Sequence, residues 1–140
     1  MRDDPARLAE QVSSVLRHLV FLLRRTVAGQ PLTSQQYGVL GSLEPGPRRM
    51  TELAEEHAVQ LPTMTVQINR LEDAGLVTRG GDPADARVRT AGLTAEGRER
   101  LHAVRAARIA HLTEELAALT DDERATLAAA LPVLAKLGRS

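Results

Sequence analysis

At 140 residues, with a formal net charge of zero and no cysteine, the chain has the length of one domain, or of one domain with extensions used for assembly. The missing thiols exclude a disulfide framework, a thiolate metal site and sulfur-based redox sensing other than slow methionine chemistry. No stretch approaches the roughly 20 apolar residues of a membrane span, and Met1-Arg2-Asp3-Asp4-Pro5 lacks the basic and apolar regions of a secretory signal, so a cytoplasmic location is expected. Phe21 and Tyr37 are the only aromatics. The core must therefore be built from Leu, Val, Ile, Met and Ala, a composition that favours helices.

From Pro5 to about Ala28, the residues Leu8, Val12, Val15, Leu16, Leu19, Val20, Leu22, Leu23 and Val27 recur at spacings of three and four, which predicts a long amphipathic helix. Gly29-Gln30-Pro31 ends it. Thr33 then caps a helix running to about Leu43, with Gln36 completing a capping box. Glu44-Pro45-Gly46-Pro47 reads as a loop, and Arg48-Arg49-Met50 as a short strand that can join a hairpin further along.

Thr51 to Thr94 carries the most informative order of parts. A short helix spans Thr51 to His57, Ala58-Val59-Gln60 is a tight turn, and a longer helix runs from Leu61 to Ala74 and stops at Gly75. Strand-like Leu76 to Arg79 and Ala86 to Thr90 flank the turn residues Gly80 to Asp85. Helix, turn, longer helix and hairpin form a winged helix-turn-helix, whose second helix reads the major groove of double-stranded DNA. The expected fold is mainly α with a small β-wing.

A helical wheel of the second helix places Leu61, Met64, Ile68 and Leu71 inward and Pro62, Thr63, Val66, Gln67 and Arg70 outward. Gln67 can bond an adenine edge and Arg70 a guanine or a phosphate, while the methyls of Thr63 and Val66 suit thymine; Asn69 is a further candidate reader. The zero net charge hides a segregation that matters more than the sum. Acidic residues gather at Glu52, Glu55 and Glu56 and again at Glu114 to Glu123, whereas Arg48, Arg49, Arg70, Arg79, Arg87 and Arg89 surround the proposed reading head. On the wing, Asp85 and Arg87 stand two apart, so an ion pair can hold Arg87 extended toward the minor groove, with Arg79 and Arg89 beside it.

After the wing, Thr94 opens a helix carrying Leu101, Val104, Ile109, Leu112, Leu116 and Leu119. Thr120-Asp121-Asp122-Glu123 is a second capping box, opening a last helix with Leu127, Leu131, Leu134 and Leu137, which Pro132 is expected to kink. The apolar residues of the first and last helices exceed what the central module can cover, so residues 1–30 and 94–140 are read as dimerisation helices flanking a 33–93 reading lobe within one domain. A two-fold dimer presents two heads to a pseudo-palindromic operator with half-sites roughly 34 Å apart.

These residues resemble the MarR-type (multiple antibiotic resistance regulator) transcription factors over nearly the whole chain. The resemblance rests on Thr51-Glu52-Leu53-Ala54, on Arg70-Leu71-Glu72 leading into Ala74-Gly75-Leu76-Val77, on Asp82-Pro83-Ala84-Asp85-Ala86-Arg87, and on Leu93-Thr94-Ala95-Glu96-Gly97. It implies a triangular homodimer, major-groove insertion of the helix bearing Thr63 to Arg70, a minor-groove wing bearing Arg87, and repression released by a small, often phenolic or lipophilic, ligand. It also places that ligand between the dimer helices and the reading lobe, where His18, Phe21, Arg25 and Tyr37 can supply contacts. Two departures stand out. Val66 and Gln67 occupy positions where members commonly carry an arginine and then an aliphatic residue, and His57 takes an often aliphatic position, where a half-buried neutral histidine is expected rather than a pH sensor.

His18, His57, His102 and His111 include no i, i+4 pair, so no zinc site is expected. No phosphate loop, nucleophile elbow or Ser/His/Asp grouping points to catalysis, and no cofactor is expected. The competing reading is a helical protein–protein interaction module that kept the fold and lost operator binding.

Overall fold

The computed structural model describes residues 4–139; Met1, Arg2, Asp3 and Ser140 lie outside the described residues, and with them most of the N-terminal segment scanned for a secretory signal. The elements are α1 (Pro5–Thr26), α2 (Ser34–Ser42), β1 (Arg48–Arg49), α3 (Met50–Glu56), α4 (Leu61–Asp73), β2 (Val77–Asp82), β3 (Asp85–Leu93), α5 (Ala95–Ala117) and α6 (Asp121–Leu134). The sheet has the order β1-β3-β2, all antiparallel. This is the mainly α, winged helix-turn-helix architecture expected from the sequence, and Arg48-Arg49 does supply the third strand.

Helix boundaries follow local chemistry. Asp4 caps α1 by accepting from the Ala6 amide, and the Thr33–Gln36 and Thr120–Glu123 capping boxes open α2 and α6 as the sequence indicates. α4 closes with Gly75 at φ +77°: the Gly75 amide donates to the Glu72 carbonyl and the Leu76 amide to the Leu71 carbonyl, each at 2.9 Å. That is a Schellman closure, and it turns the buried Leu76 back beside Leu71. α3 ends in the same way, with Val59 donating to Ala54 and Ala58 to Glu55, but the left-handed position is filled by Ala58 at φ 53°. The turn of the helix-turn-helix thus carries an alanine where glycine would be unstrained.

Four sequence expectations need correction. The wing strands are longer than read, because Gly80 and Gly81 do not turn; they pair with Thr90 and Arg89 in β2, leaving only Pro83 and Ala84 at the tip. Neither glycine has a positive φ, so here they save space instead of supplying a bend. α3 begins at Met50, and α1 ends at Thr26, two residues short of Ala28. Leu61, assigned to the inward face of α4, is 42% exposed: it is the first residue of the helix, ahead of the buried Met64, Ile68 and Leu71.

The core fills the lobe and its junctions with α5 and with Val27 at the end of α1. Tyr37, Leu40 and Leu43 of α2 and its C-terminus meet Leu53 of α3, Met64, Ile68 and Leu71 of α4, Leu76 and Val77, and Leu101 and Val104 of α5. α1 and α6 bury no residue, and Leu8, Val15, Leu16, Leu19, Leu131 and Val133 are all exposed. Pro132 lies in the last turn of α6, which ends two residues later. No helix among the described residues is long and apolar enough to cross a membrane.

The joint between wing and α5 explains why Leu93-Thr94-Ala95-Glu96-Gly97 has its residue types. Thr94 Oγ1 donates to the Gly75 carbonyl at 2.7 Å and accepts from the Gly97 amide at 2.9 Å, while the Thr94 amide donates to the Leu76 carbonyl at 3.1 Å. One threonine therefore caps α5 and ties it to the end of α4. Gly97 is buried so closely against the Leu76 carbonyl that a Cβ there would collide with the oxygen.

Candidate DNA-binding surface

α4 buries one face and turns the other out. Pro62, Thr63, Val66, Asn69 and Arg70 are exposed. The N-cap, Gln60, makes no side-chain cap and Pro62 has no N–H, so the Leu61 and Thr63 amides are the ones left to meet an anionic phosphate. Gln67 is half-buried, and its Oε1 is enclosed without a hydrogen-bond partner among the described residues. Swinging that amide outward toward a base edge would break no internal hydrogen bond.

The wing tip is built by two aspartates that each fold back on the chain. Asp85 Oδ1 accepts from the Arg87 amide at 3.0 Å and from Arg87 Nε at 3.2 Å, and Oδ2 accepts from Nη2 at 3.3 Å. The Arg87 side chain is nonetheless 92% exposed, an arginine steered by its neighbour and free at its outer edge. Arg87 holds the Asp85 carboxyl below the ordinary aspartate range, by side-chain and then backbone hydrogen bonding. Asp82 Oδ1 accepts from the Ala84 amide at 2.8 Å, and Oδ2 accepts from Arg49 Nε at 3.0 Å, with Arg49 Nη2 at 2.9 Å. Its carboxyl is also held low, first by the Ala84 amide and then by Arg49.

Several arginines around the reading head are already engaged within the protein. Arg79 bonds Asn69 and reaches the Thr65 carbonyl at 3.5 Å, with Glu72 at 3.8 Å, so two residues assigned from sequence to DNA contact lock β2 onto α4 in the free protein. Arg48 bridges Glu52 at 3.4 Å and Glu56 at 3.0 Å, neutralising part of the acidic run on α3. Arg70 and Arg89 are exposed, Arg89 on β3 beside Gly81. Sequence reasoning missed the Arg49–Asp82 contact, whose partners lie 33 residues apart; the legible half was the Asp-Pro turn, not its distant partner.

His57 is half-buried, with Nε2 2.8 Å from Ser42 Oγ. Ser42 Oγ is also 3.2 Å from both the Gly38 carbonyl and Glu56 Oε1, so one hydroxyl meets α2, Glu56 and the imidazole together. The histidine ties α3 to α2.

The residues expected around a ligand do not all converge. Tyr37 is 2% exposed, and its hydroxyl is buried without a partner among the described residues. It lines a cavity of about 300 Å³ between α1, α2 and α5, together with Val20, Leu23, Arg24, Arg105 and Arg108. Arg108 Nε is likewise buried and unpartnered there. α1 contributes Arg24 to this wall in place of the expected Arg25; His18, Phe21 and Arg25 are exposed and lie outside the lining.

Comparison with known proteins bears on this geometry at three levels. The profile of the MarR family matches residues 30–88. An uncharacterised HTH-type transcriptional regulator of Mycobacterium bovis is 33% identical over 98% of this chain and 96% of its own length. The HTH-type transcriptional repressor MdtR of Bacillus subtilis is 35% identical over 67% of this chain and 61% of its own. The crystal structure of wild-type MarR from Escherichia coli in its apo form superposes with a TM-score of 0.75 at 26% identity, covering 96% of this chain and 98% of that one.

Proposed function

The chain belongs to the MarR family of transcriptional regulators, and from that premise we propose that it acts as a homodimeric, cytoplasmic repressor that binds a pseudo-palindromic double-stranded operator and is released by a small ligand. The observation that carries the DNA-binding part is the pairing of an outward-facing α4 with a wing whose Arg87 is steered outward by Asp85. In this reading Thr63, Val66, Gln67 and Arg70 meet base edges or phosphates in the major groove, and Arg87 and Arg89 meet the minor groove and its phosphates. Asn69 and Arg79 hold the two parts in register, and any contact they make to phosphate adds to that role.

The dimer reading rests on α1 and α6. Their exposed leucines and valines belong to no core of this chain, and Leu8, Val12 and Leu16 face Val133, Leu134 and Leu137 across an apolar groove. A second copy burying these faces would fix two reading heads at the spacing of one helical turn, roughly 34 Å. The ligand reading rests on the cavity beside Tyr37. A wall that sets Val20, Leu23, Leu101 and Val104 beside Arg24, Arg105 and Arg108, with an unpartnered hydroxyl and an unpartnered guanidinium N–H, suits a small lipophilic or phenolic molecule bearing an acceptor oxygen.

A gel shift against the DNA flanking the coding region, run at two salt concentrations, tests the central claim. A retarded complex that weakens as salt rises is expected, because arginines on two protomers displace phosphate counterions. A chain that retards no flanking DNA at either salt would leave the interaction-module reading in its place.

A further inference from the structure

Arg49 belongs to β1, on one edge of the sheet, whereas Asp82 ends β2 on the other. With β3 between them, the Arg49 side chain must cross a strand, a span of about 10 Å between the outer two. The register shows what clears its way. Arg49 is directly opposite Thr90, and Thr90 is directly opposite Gly80, so these three residues share one face of the sheet, and Gly80 adds no side chain to it. A Cβ at Gly80 would already meet Thr90 Oγ1 at 3.2 Å. Two residues beyond Gly80, past the register shift at Gly81/Asp82, the Asp82 carboxylate receives the guanidinium.

Arg49 is also the residue from which α3 starts. Its contact with Asp82 therefore joins the first helix of the helix-turn-helix to the far end of the wing. Asp82 is committed twice, since its other oxygen holds the Ala84 amide within the Pro83-Ala84 turn. From there the chain passes directly to Asp85 and Arg87.

We propose that Arg49 and Asp82 are wing-positioning residues: their ion pair straps the hairpin tip across the sheet to the start of α3 and so fixes where Arg87 is delivered relative to α4. This rests on the DNA-binding reading above, but it assigns Arg49 an internal partner in place of a phosphate. The two roles predict opposite signs. If Arg49 is a phosphate contact that Asp82 merely competes for, Asp82→Asn removes a negative charge from the DNA side, frees Arg49, and tightens binding. If the pair is a strap, Asp82→Asn weakens binding although the protein has become more positive.

The experiment measures operator affinity for wild type, Asp82→Asn, Arg49→Ala, Arg49→Lys, Arg87→Ala and the Asp82→Asn/Arg87→Ala double variant, together with backbone amide exchange of the free proteins. Asparagine keeps an oxygen for the Ala84 amide, so the turn itself survives. The expected results are an operator affinity roughly fivefold lower for Asp82→Asn and Arg49→Ala, partial recovery with Arg49→Lys, and faster exchange at Gly81 and Ala86 in the two weakened variants. Arg87→Ala should cost less in the Asp82→Asn background than in wild type, since a displaced wing no longer delivers it. Tighter or unchanged binding by Asp82→Asn overturns the proposal, as does unchanged exchange at the tip. If wild type binds no operator, the DNA-binding reading fails; if Arg87→Ala binds as well as wild type, the wing contact of that reading fails; in either case the exchange measurement on free protein still decides whether the strap exists.

Discussion

Single residues in this lobe carry specific, separable loads. Ala58 sits at φ 53° in the α3–α4 turn, a conformation that costs a side-chain-bearing residue about 1–2 kcal/mol, while glycine there gives back about 0.4–1 kcal/mol through unfolded-chain entropy. Ala58→Gly should therefore raise unfolding free energy by about 0.5–1 kcal/mol in a denaturant titration. Gln67 is an opposite case, a polar group kept at some cost to the free protein. Gln67→Leu should stabilise the unliganded protein by about 1 kcal/mol by removing the enclosed, unpartnered Oε1. The same change should cost about 1–3 kcal/mol at the preferred base and flatten discrimination there in a site-selection experiment. Retention of wild-type preference at every position would pass base reading to Thr63 or Arg70. At Asp85 and Asp82 the load is electrostatic. Both carboxyls are held below the ordinary aspartate value, so the wing's hold is complete above the unfolded-chain value and is lost only as pH falls through the lowered folded ones. A pH titration of the Arg87 amide resonance should show its midpoint on the acid side of an ordinary aspartate, with no step between pH 6 and 8.

Elements were legible in the sequence wherever a local rule set them. Capping residues, the apolar spacing of α4 and the glycine after it need only neighbours within a few positions, and the structure has α2, α4 and α6 where those rules place them. The wing shows where local rules run out. Gly80-Gly81-Asp82-Pro83 reads as a turn, yet register with Thr90 and Arg89 draws both glycines into β2, because the long β3 offers ladder partners that a local reading cannot see. The candidate site divides in the same way. Asp85 and Arg87 were visible because they are two residues apart, whereas the pairs Arg49–Asp82 and Arg79–Asn69 depend on tertiary placement, and His18, Phe21 and Arg25 fall outside the cavity because the helix phase of α1 directs Val20, Leu23 and Arg24 there instead. The joint between β3 and α5 gives the sharpest test at this scale. Gly97→Ala must push α5 away from the Leu76 carbonyl, which Thr94 also uses, so the substitution should destabilise the fold by about 3 kcal/mol or more. Thermal unfolding of Gly97→Ala alongside Gly41→Ala, where the backbone φ is ordinary and a Cβ meets only Arg105 Nη2 at 4.0 Å, measures it.

At the scale of the whole molecule, the arrangement separates a lobe that is complete in itself from helices that are not. All the buried apolar residues of the core lie between residues 27 and 104, while Leu16 of α1 and Leu131 of α6 are 49% and 56% exposed. Substituting these two should therefore leave the lobe's packing intact and act on assembly alone. In the proposed dimer each leucine is buried against the partner or against the partner-stabilised groove, and a carboxylate there must be desolvated without an opposite charge. Leu16→Glu/Leu131→Glu should accordingly sediment as a monomer at micromolar concentration where the parent chain sediments as a dimer. Operator affinity should then fall by about 10²- to 10⁴-fold, the advantage that a second, tethered reading head confers. The circular dichroism of the variant should remain that of a helical protein, which separates lost assembly from lost folding. A parent chain that is already a soluble monomer at that concentration would remove the dimer from the proposal while leaving α4 and the wing as a single reading head.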